Sequence, residues 1–477
     1  AGVLEEVEVL RIFQVEVDRT IGAVQLEGVV VLATTRVASR FEGTHRTVGE
    51  ARQEHARIID LHGLGLARLL VDPLLHEGLG IRDHPGNRTV QPHRRVDRVC
   101  QQVTGDSGAR NGRIEPPQGR APLRDVLGDG PVLEIGRPVV ERPADPALVD
   151  DVIMGCVSQA GEQSTNIARN AILCSSLPES VPGTSVDRQC GSSQQALHFA
   201  AQAVMSGAMD CVIAAGVEMM TRVPMGAAIR PAYEAGFGMP YGKAMQTRYP
   251  NVMFSQFAGA EMVAKKYGLE KATLDAYGLE SHKRAIKAVE NGWFKNEILP
   301  IPVTLEDGTE ALHEVDEGIR FDASLEAISS VKLLAEDGRL TAATSSQICD
   351  GASAVMVVNE AGLKALGATP LARIHHMTVV GGDPVIMLEA PIPGTKRALE
   401  KTGMSINDID LFEVNEAFAS VPVAWLQETG ADPARLNVHG GAISLGHPLG
   451  ASGTKLMTTL LGALQTHDKR WGLQTMC

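Results

Sequence analysis

The chain has 477 residues, of which 44% are hydrophobic and 21% charged, and its formal net charge is −13. This length is too great for one hydrophobic core, so we expect two or three domains of a soluble globular protein. An acidic surface matches a nucleic-acid backbone poorly, and no apolar run reaches the roughly 20 residues that span a bilayer. We therefore expect no nucleic-acid partner and no membrane insertion, and we predict a cytoplasmic location.

The first 142 residues differ from the rest of the chain in composition. Residues 1–142 are rich in Arg, contain no Lys, Met, Trp or Tyr, and follow no sustained helical or strand period. Three interpretations stay open: a separate regulatory or interaction domain, a poorly ordered extension, and a stretch that is not an authentic reading frame. We favour the latter two, because composition without periodicity argues against a packed core.

After residue 142, apolar strand-like runs alternate with helical patterns. Cys211–Met220 and Ser353–Glu360 are typical of buried strands, and "SSQQALHFAAQAVMSG" and "SGTKLMTTLLGALQ" of helices. Such alternation predicts an α/β fold with largely parallel sheets covered by helices. We predict a first half over residues 143–223 and 340–362, an inserted lid over 224–339, and a second half over 363–477.

Cys190 lies in "VDRQCGSSQQAL", where a short extended piece meets a predicted helix. Gly and Ser are turn and N-cap residues, so we expect Cys190 at the helix N-terminus. The positive end of the helix dipole favours a thiolate there, and backbone N–H groups can hold an oxyanion. The residues alone leave two readings equally open, a nucleophile and a buried structural cysteine.

Two further motifs carry polar residues at strand ends. "NVHGGAISLGHPLGASG" places His447 in a glycine-rich loop, where it is a candidate general base, with His439 as its nearest competitor. "LFEVNEAFA" runs from a buried strand into Asn415, at the edge where α/β sheets bind ligands. The seven cysteines form no C-x-x-C pair or Cys/His cluster, so we predict no metal.

Taken together, "VDRQCGSSQQAL", "NEAFA", "GGAISLGHPLGASG" and the terminal "GLQTMC" resemble the motifs of the thiolases in order and spacing. The resemblance covers about residues 143–477. It implies a five-layered αβαβα arrangement of two similar halves, each with a five-stranded mixed sheet, and a lid inserted in the first. It also implies an acyltransferase that cleaves a 3-ketoacyl-CoA with CoA, or performs the reverse Claisen condensation, with no bound cofactor and as a homodimer or homotetramer.

The resemblance assigns roles residue by residue. Cys190 corresponds to the acylated nucleophile and His447 to the base that activates it. Asn415 corresponds to the residue that holds an oxyanion-hole water, and Cys477 to a second cysteine that exchanges protons. Residues that correspond to substrate or CoA contacts are Arg320, Ser346, Ala417, Phe418 and Gly446.

Two departures from the family pattern keep other functions open. The family's first strand is not visible in residues 1–142, and nothing follows Cys477, where the family has a glycine turn and a last strand. One alternative is therefore a truncated, catalytically impaired protein that binds acyl-CoA. A decarboxylating condensing enzyme ranks below it, because such enzymes carry His where this chain has Asn415.

Overall fold

The computed structural model describes residues 29–36, 145–305 and 307–477, and of residues 29–36 it describes the backbone alone. Apart from that short stretch, the three interpretations of residues 1–142 lie outside the described residues. The strands are β1 (Val29–Arg36), β2 (Asp151–Gly155), β3 (Gly183–Val186), β4 (Cys211–Met219), β5 (Ile301–Thr304), β6 (Glu310–His313), β7 (Asp350–Val358), β8 (Ala372–Ile374), β9 (Leu411–Val414) and β10 (Gly472–Thr475).

The α-helices differ widely in length, from four residues to twenty. They are α1 (Ile167–Leu173), α2 (Ser192–Met205), α3 (Arg230–Glu234), α4 (Lys243–Arg248), α5 (Gln256–Lys266), α6 (Lys271–Glu290), α7 (Leu325–Ser329), α8 (Glu360–Leu366), α9 (Pro391–Thr402), α10 (Ser420–Thr429), α11 (Ala442–Leu445) and α12 (Ser452–Thr466).

One large mixed sheet has the strand order β3-β2-β4-β7-β1-β8. Strands β3, β2 and β4 are parallel, whereas β7 runs antiparallel to both β4 and β1. Eight of the nine residues of β4 are buried, as expected for a strand that is covered by helices on both faces of its sheet. The predicted α/β class is confirmed.

Strand β1 is present in the large sheet, although the sequence led us to expect that the first strand is missing. Its sequence, VVVLATTR, is rich in the β-branched residues that favour strands, and it lies within the stretch that we set apart as atypical. It pairs with β7 on one side and with β8 on the other. The composition of the surrounding Arg-rich residues hid this local signal.

The described elements form five layers. Helices α1 and α8 cover one face of the large sheet, and α2 packs on the other. Helix α12 packs against α2 and also contacts β9 and β10, which form a parallel pair. Helices α9 and α10 cover the far side of that pair. The order helix, sheet, helix, sheet, helix is the arrangement that the resemblance implies.

The second half has fewer strands in the described residues than the resemblance implies. Only β9 and β10 pair there, instead of five strands. The apolar run that begins at Ala372 is a strand over three residues only, and it pairs with β1 in the large sheet. The domain boundaries drawn from the sequence stay a prediction.

Candidate active site

Cys190 lies in a tight turn between β3 and α2. Gln189 has a positive φ of 49°, and the Ser192 hydroxyl donates to its carbonyl at 2.5 Å and accepts from the Arg188 N–H at 2.9 Å. These two hydrogen bonds of the Ser192 hydroxyl close the turn and fix the chain at the helix start. The thiol of Cys190 is 8% exposed and free. The predicted position at the α2 N-terminus is therefore the observed one.

The Cys190 thiol is neutral at rest. Burial raises its pKa to about 12, and the neighbouring Cys477 thiol adds to the rise. The helix dipole acts in the opposite direction and typically contributes about 0.3–1 kcal/mol, less than the cost of burying a thiolate. A buried thiol of this kind needs a base beside it before it can act as a nucleophile.

His447 has one ring nitrogen fixed as a donor. The Ser452 hydroxyl donates to the Pro448 carbonyl at 2.8 Å, so its single proton is used there. Ser452 Oγ must then accept from His447 Nδ1–H, with which it forms a short hydrogen bond. The lone pair consequently lies on Nε2, which makes Nε2 the basic atom.

The imidazole of His447 is also kept uncharged. Burial, with a smaller contribution from the Lys455 charge, lowers its pKa to about 3. The ring is 3% exposed. A neutral ring with its lone pair on Nε2 is the form that a general base requires.

Asn415 lies beside this lone pair. Its Nδ2 is 3.3 Å from His447 Nε2, and its Oδ1 is buried without a hydrogen-bond partner within the part of the chain that the structure describes. A small cavity of about 10 Å³ lies next to the pair, lined by Asn415, Gly446, Ser452 and Lys455 among others. A space of this size holds one water, which can hydrogen-bond to the amide.

Cys477 reaches the same place from the second sheet. The Asn415 N–H donates to the Thr475 carbonyl at 3.1 Å, which fixes the end of β10 next to β9. Met476 packs against Cys190 and Leu449. The Cys477 thiol donates to the Met387 carbonyl at 3.2 Å, and burial raises its pKa to about 11.

The structure therefore brings four of the predicted residues together. Cys190 shares an apolar cluster with Leu449, two residues after His447, and Met476, one residue before Cys477, packs against that cluster. Asn415 links the ring of His447 to β10. The competitor His439 lies elsewhere, stacked on Trp293 with its Nε2 3.2 Å from the ring of His467.

The predicted binding residues divide into two sets. The Ser346 N–H donates to the Ala417 carbonyl at 2.9 Å, and Ser345 bridges Phe418, so this stretch borders Asn415. Gly446 directly precedes His447 and has a φ of 81°, which favours glycine. Arg320 has an exposed side chain, and its N–H donates to His282 Nδ1 in the lid.

Sequence reasoning missed a buried carboxylate that supports the His447 loop. Glu218, at the end of β4, accepts hydrogen bonds from the N–H groups of Val157, Ser158 and Gly450 at 2.8–2.9 Å. Four donors, counting the Gln163 side chain at 3.1 Å, stabilise this charge in the interior. Its one signal in the sequence is an acidic residue inside the apolar run CVIAAGVEMM.

Close backbone contact fixes the same loop against the large sheet. A side chain at Gly216 would lie 2.4 Å from the Gly450 carbonyl, and one at Gly155 would lie 2.6 Å from it. These two glycines pair with each other across β2 and β4. The sheet surface therefore carries no side chain at these two positions, and the loop backbone packs directly against it.

Glu416 supports the site from behind. Its carboxylate accepts from Tyr277, Ser281 and Asn437 at 2.7–2.9 Å and from the Ile443 N–H at 3.1 Å. These bonds join α6 of the lid to α11. Glu416 is 1% exposed, so it acts as a structural anchor next to Asn415.

Residues 145–305 and 307–477 contain no group of three or more His, Cys, Asp or Glu side chains that could hold a metal ion. No helix among these residues combines the length and the apolar character needed to cross a membrane.

Comparison with known proteins identifies the family. The family description "Thiolase, N-terminal domain" matches residues 134–361, and "Thiolase, C-terminal domain" matches residues 368–477. The chain is 51% identical over 335 residues to the steroid 3-ketoacyl-CoA thiolase FadA6 of Mycobacterium tuberculosis, covering 70% of this chain and 81% of the relative. It is 40% identical over 376 residues to a 3-ketoacyl-CoA thiolase of Citrobacter koseri, covering 76% and 94%.

A solved structure gives the same result at the level of the fold. The crystal structure of the Bacillus anthracis acetyl-CoA acetyltransferase superposes with a TM-score of 0.63 at 32% identity, covering 70% of this chain and 85% of that one. The five layers, the motifs around Cys190 and His447, and these likenesses agree. The chain belongs to the thiolase family.

Proposed function

We propose that this chain is a thiolase-type acyltransferase, which cleaves a 3-ketoacyl-CoA with CoA to acetyl-CoA and a shortened acyl-CoA. The same groups serve the reverse Claisen condensation. The observation that carries the proposal is that two thiols, the buried Cys190 and the half-buried Cys477, lie close to each other and to the loop of His447, whose Nε2 is unprotonated. A thiol nucleophile suits thioester exchange, because the attacking and leaving groups are alike.

In the first half-reaction Cys190 acts as the nucleophile. Its proton passes to His447 Nε2, and the sulfur bonds to the C3 carbonyl carbon of the substrate. The C2–C3 bond then breaks, and its electron pair goes to C2 of the departing acetyl-CoA. Cys477 protonates C2 and becomes a thiolate, while Cys190 keeps the shortened acyl group as a thioester.

In the second half-reaction CoA releases that acyl group. The CoA thiol gives its proton to the Cys477 thiolate, and the CoA sulfur bonds to the acyl carbonyl carbon. The Cys190–acyl bond breaks, and Cys190 recovers its proton from His447. A water on Asn415 is suitably placed to donate to the carbonyl oxygen while negative charge builds up on it.

The relative from Mycobacterium tuberculosis suggests a substrate class. Its name describes a steroid substrate, and we propose that this chain also accepts an acyl group with bulky rings. Supporting apolar surface exists in the lid, where Phe237 and Met253 are 84% and 85% exposed. Comparing turnover of acetoacetyl-CoA with a ring-bearing 3-ketoacyl-CoA tests this, and equal efficiency on both would contradict it.

Two broader assignments accompany the proposal. We propose a cytoplasmic location, which the free thiols of Cys156, Cys190, Cys211 and Cys477 support, because reduced cysteines fit a reducing compartment. We also propose a homodimer or homotetramer. Light scattering of the purified protein checks the second assignment.

The function is tested by incubating the protein with acetyl-CoA and measuring its intact mass. We expect one acetyl adduct on the wild-type chain, and none on the Cys190→Ser variant, because a hydroxyl is a far weaker nucleophile than a thiol. Cys174→Ser is the matched control, since this cysteine is exposed at the end of α1. It should acetylate like the wild type.

The alternative is a protein that binds acyl-CoA without reacting. It predicts a folded wild-type chain that binds CoA in calorimetry but gains no mass from acetyl-CoA. That result would exclude the enzyme and support the binding protein. An adduct that persists in Cys190→Ser would instead place the nucleophile at another residue.

A further inference from the structure

The buried ion pair between Lys455 and Asp316 joins the lid to the loop that carries the proposed base. Lys455 lies in the first turn of α12, three residues after Ser452, and Asp316 lies in the segment that returns from the lid hairpin β5–β6. Lys455 Nζ lies 3.4 Å from Asp316 Oδ1, and the side chains are 7% and 0% exposed. A buried ion pair costs desolvation energy and is not explained by stability alone.

The ammonium group of Lys455 also bonds directly to the backbone ahead of His447. It donates to the carbonyl of Leu445 and, at 3.3 Å, to that of Gly446. Asp316 Oδ1 accepts a further hydrogen bond from the same ammonium group at 3.4 Å. The two residues before His447 are therefore held by a side chain whose own position depends on the lid.

The return segment touches the loop at a second point. The Gln347 side chain donates through Nε2 to the carbonyls of Gly318 and Ile443, both at 2.7 Å. The backbone carbonyl of Gln347 accepts from the His447 N–H. A side chain at Gly318 would lie 2.7 Å from the Ser444 carbonyl, so the segment contacts α11 through its backbone. The contact is close enough for a shift of the lid to move the loop.

We propose that Lys455, clamped by Asp316 of the lid, is a positioning residue that places His447 for proton transfer from Cys190. This rests on the proposed function. Lys455 does not touch the reacting atoms in this arrangement. It acts through the Leu445 and Gly446 carbonyls and through its positive charge, which disfavours a second positive charge on the ring.

The electrostatic part has a definite sign. Removal of the Lys455 charge raises the pKa of His447, so the ring becomes protonated, and loses its function as a base, at a higher pH. Removal of the Asp316 charge takes away a negative charge that favours the protonated ring, and so lowers the pKa of His447 instead. The other titratable side chains on elements around the ring are Cys190, Glu218, Glu413, Glu416 and Cys477, and they are unchanged in all variants.

The experiment measures the rate of Cys190 acetylation against acetyl-CoA concentration in Lys455→Met, Lys455→Arg, Asp316→Asn and the double variant Lys455→Met/Asp316→Leu. We expect Lys455→Met to lower the limiting rate by up to about 100-fold, the effect of an approximately 1 Å misplacement, with half-saturation unchanged. Lys455→Arg should restore most of the rate, because Arg keeps the charge and several donors. The double variant removes both charges of this pair and should fold, yet remain slow.

Lys396→Met is the matched control, because it removes a lysine from an exposed ion pair with Glu428. It should leave rate and saturation unchanged. The pH dependence separates positioning from general destabilisation: the acid limb should move up by about one unit in Lys455→Met and down in Asp316→Asn. The proposal is overturned if folded Lys455→Met acetylates at the wild-type rate, or if Lys455→Arg is no better than Lys455→Met.

A readout without substrate distinguishes this proposal from the proposed function. Ring nitrogen signals of isotope-labelled histidine, assigned with His447→Gln, report the Nδ1–H tautomer directly. A wild-type chain that is never acetylated but loses this tautomer signal in Lys455→Met refutes the enzyme and upholds the positioning role. Acetylation of the wild type with an unaltered tautomer and rate in Lys455→Met refutes the positioning role alone.

Discussion

Cys190 and His447 occupy equivalent places in the two halves, each just ahead of a buried helix, but they are held in different ways. The Cys190 turn is closed by its own neighbours, chiefly Ser192. The His447 loop is held by side chains from distant elements, including Glu218 and Lys455. A thiol reacts through one atom that rotates freely, whereas an imidazole must present a chosen nitrogen in a chosen direction. The base therefore needs more partners than the nucleophile.

The two regions meet where the helices α2 and α12 begin. The Thr454 N–H donates to the Ser193 hydroxyl at 3.0 Å, and Gly453 lets the two backbones touch. The relative position of nucleophile and base is thus set by contact between their helices. Substitutions on either side test which support matters more.

The largest effect is expected from His447→Ala. Loss of the general base should lower the rate of Cys190 acetylation by about 10³-fold, because a neutral thiol must lose its proton before it can attack. Intact-mass kinetics with acetyl-CoA measures it. His439→Gln is the comparison, since that ring stacks on Trp293 away from the site. A large loss in His439→Gln with none in His447→Ala would reverse the assignment of the base.

Gly453→Ala should have the next largest effect, on stability. A Cβ there would lie 2.1 Å from the Gln194 N atom and 2.7 Å from its Cα, and backbone of this kind does not yield without moving a helix. We expect a loss of about 3 kcal/mol in the free energy of unfolding, measured by denaturant titration.

Gly394→Ala gives the matched control for that prediction. Gly394 lies inside α9, where a Cβ would meet only Val380 Cγ2 at an ordinary 3.6 Å. This variant should gain about 0.5–1 kcal/mol from helix propensity. If both glycine variants keep or gain stability, the close contact between α2 and α12 is not what fixes the two regions.

The sequence predicts the turn around Cys190 better than it predicts the residues that support His447. The turn around Cys190 depends on Gly191, Ser192 and the helix that follows, and these are neighbours in the chain. The supports of His447 are remote: Glu218 lies 232 residues from Gly450, and Asp316 lies 139 from Lys455. A local pattern marks an acidic residue in an apolar strand, but it does not name the backbone groups that the residue will bind.

The fold shows the same division. The alternation of elements predicts the α/β class and several helices, among them α2 and α12, because amphipathic periods are local. The pairing of β1 with β7 joins residues more than 300 apart in the chain. It depends on which strand of the folded sheet has an edge that is not yet hydrogen-bonded. Strand β8 lies in the stretch that we predict as the second half and pairs with β1 in the large sheet, a pairing that no local preference specifies.

Glu218→Gln should weaken the support of the His447 loop at its contact with β4. The amide replaces one acceptor oxygen with an NH₂ group that faces backbone N–H donors, so at least one donor loses its partner. We expect about 2 kcal/mol less stability and a slower acetylation of Cys190. Glu162→Gln is the control, since that half-buried carboxylate pairs with the Arg222 side chain and accepts no backbone hydrogen bond that holds the His447 loop. Equal stability of the two variants would contradict a supporting role for Glu218.

Ser452→Ala should have the smallest effect and tests the tautomer alone. Without the hydroxyl, His447 Nδ1–H loses its acceptor, and the ring is free to carry its proton on Nε2, where it cannot act as a base. The net loss of one hydrogen bond, about 1 kcal/mol, corresponds to a rate lowered by roughly five- to tenfold with little change in stability. Ser452→Thr keeps the hydroxyl and should restore the rate.

Because α12 begins at Ser452, the unfolding curve of each variant must be measured alongside its acetylation rate. A rate loss in Ser452→Thr equal to that in Ser452→Ala would show that packing at the helix start, and not the tautomer, controls the base.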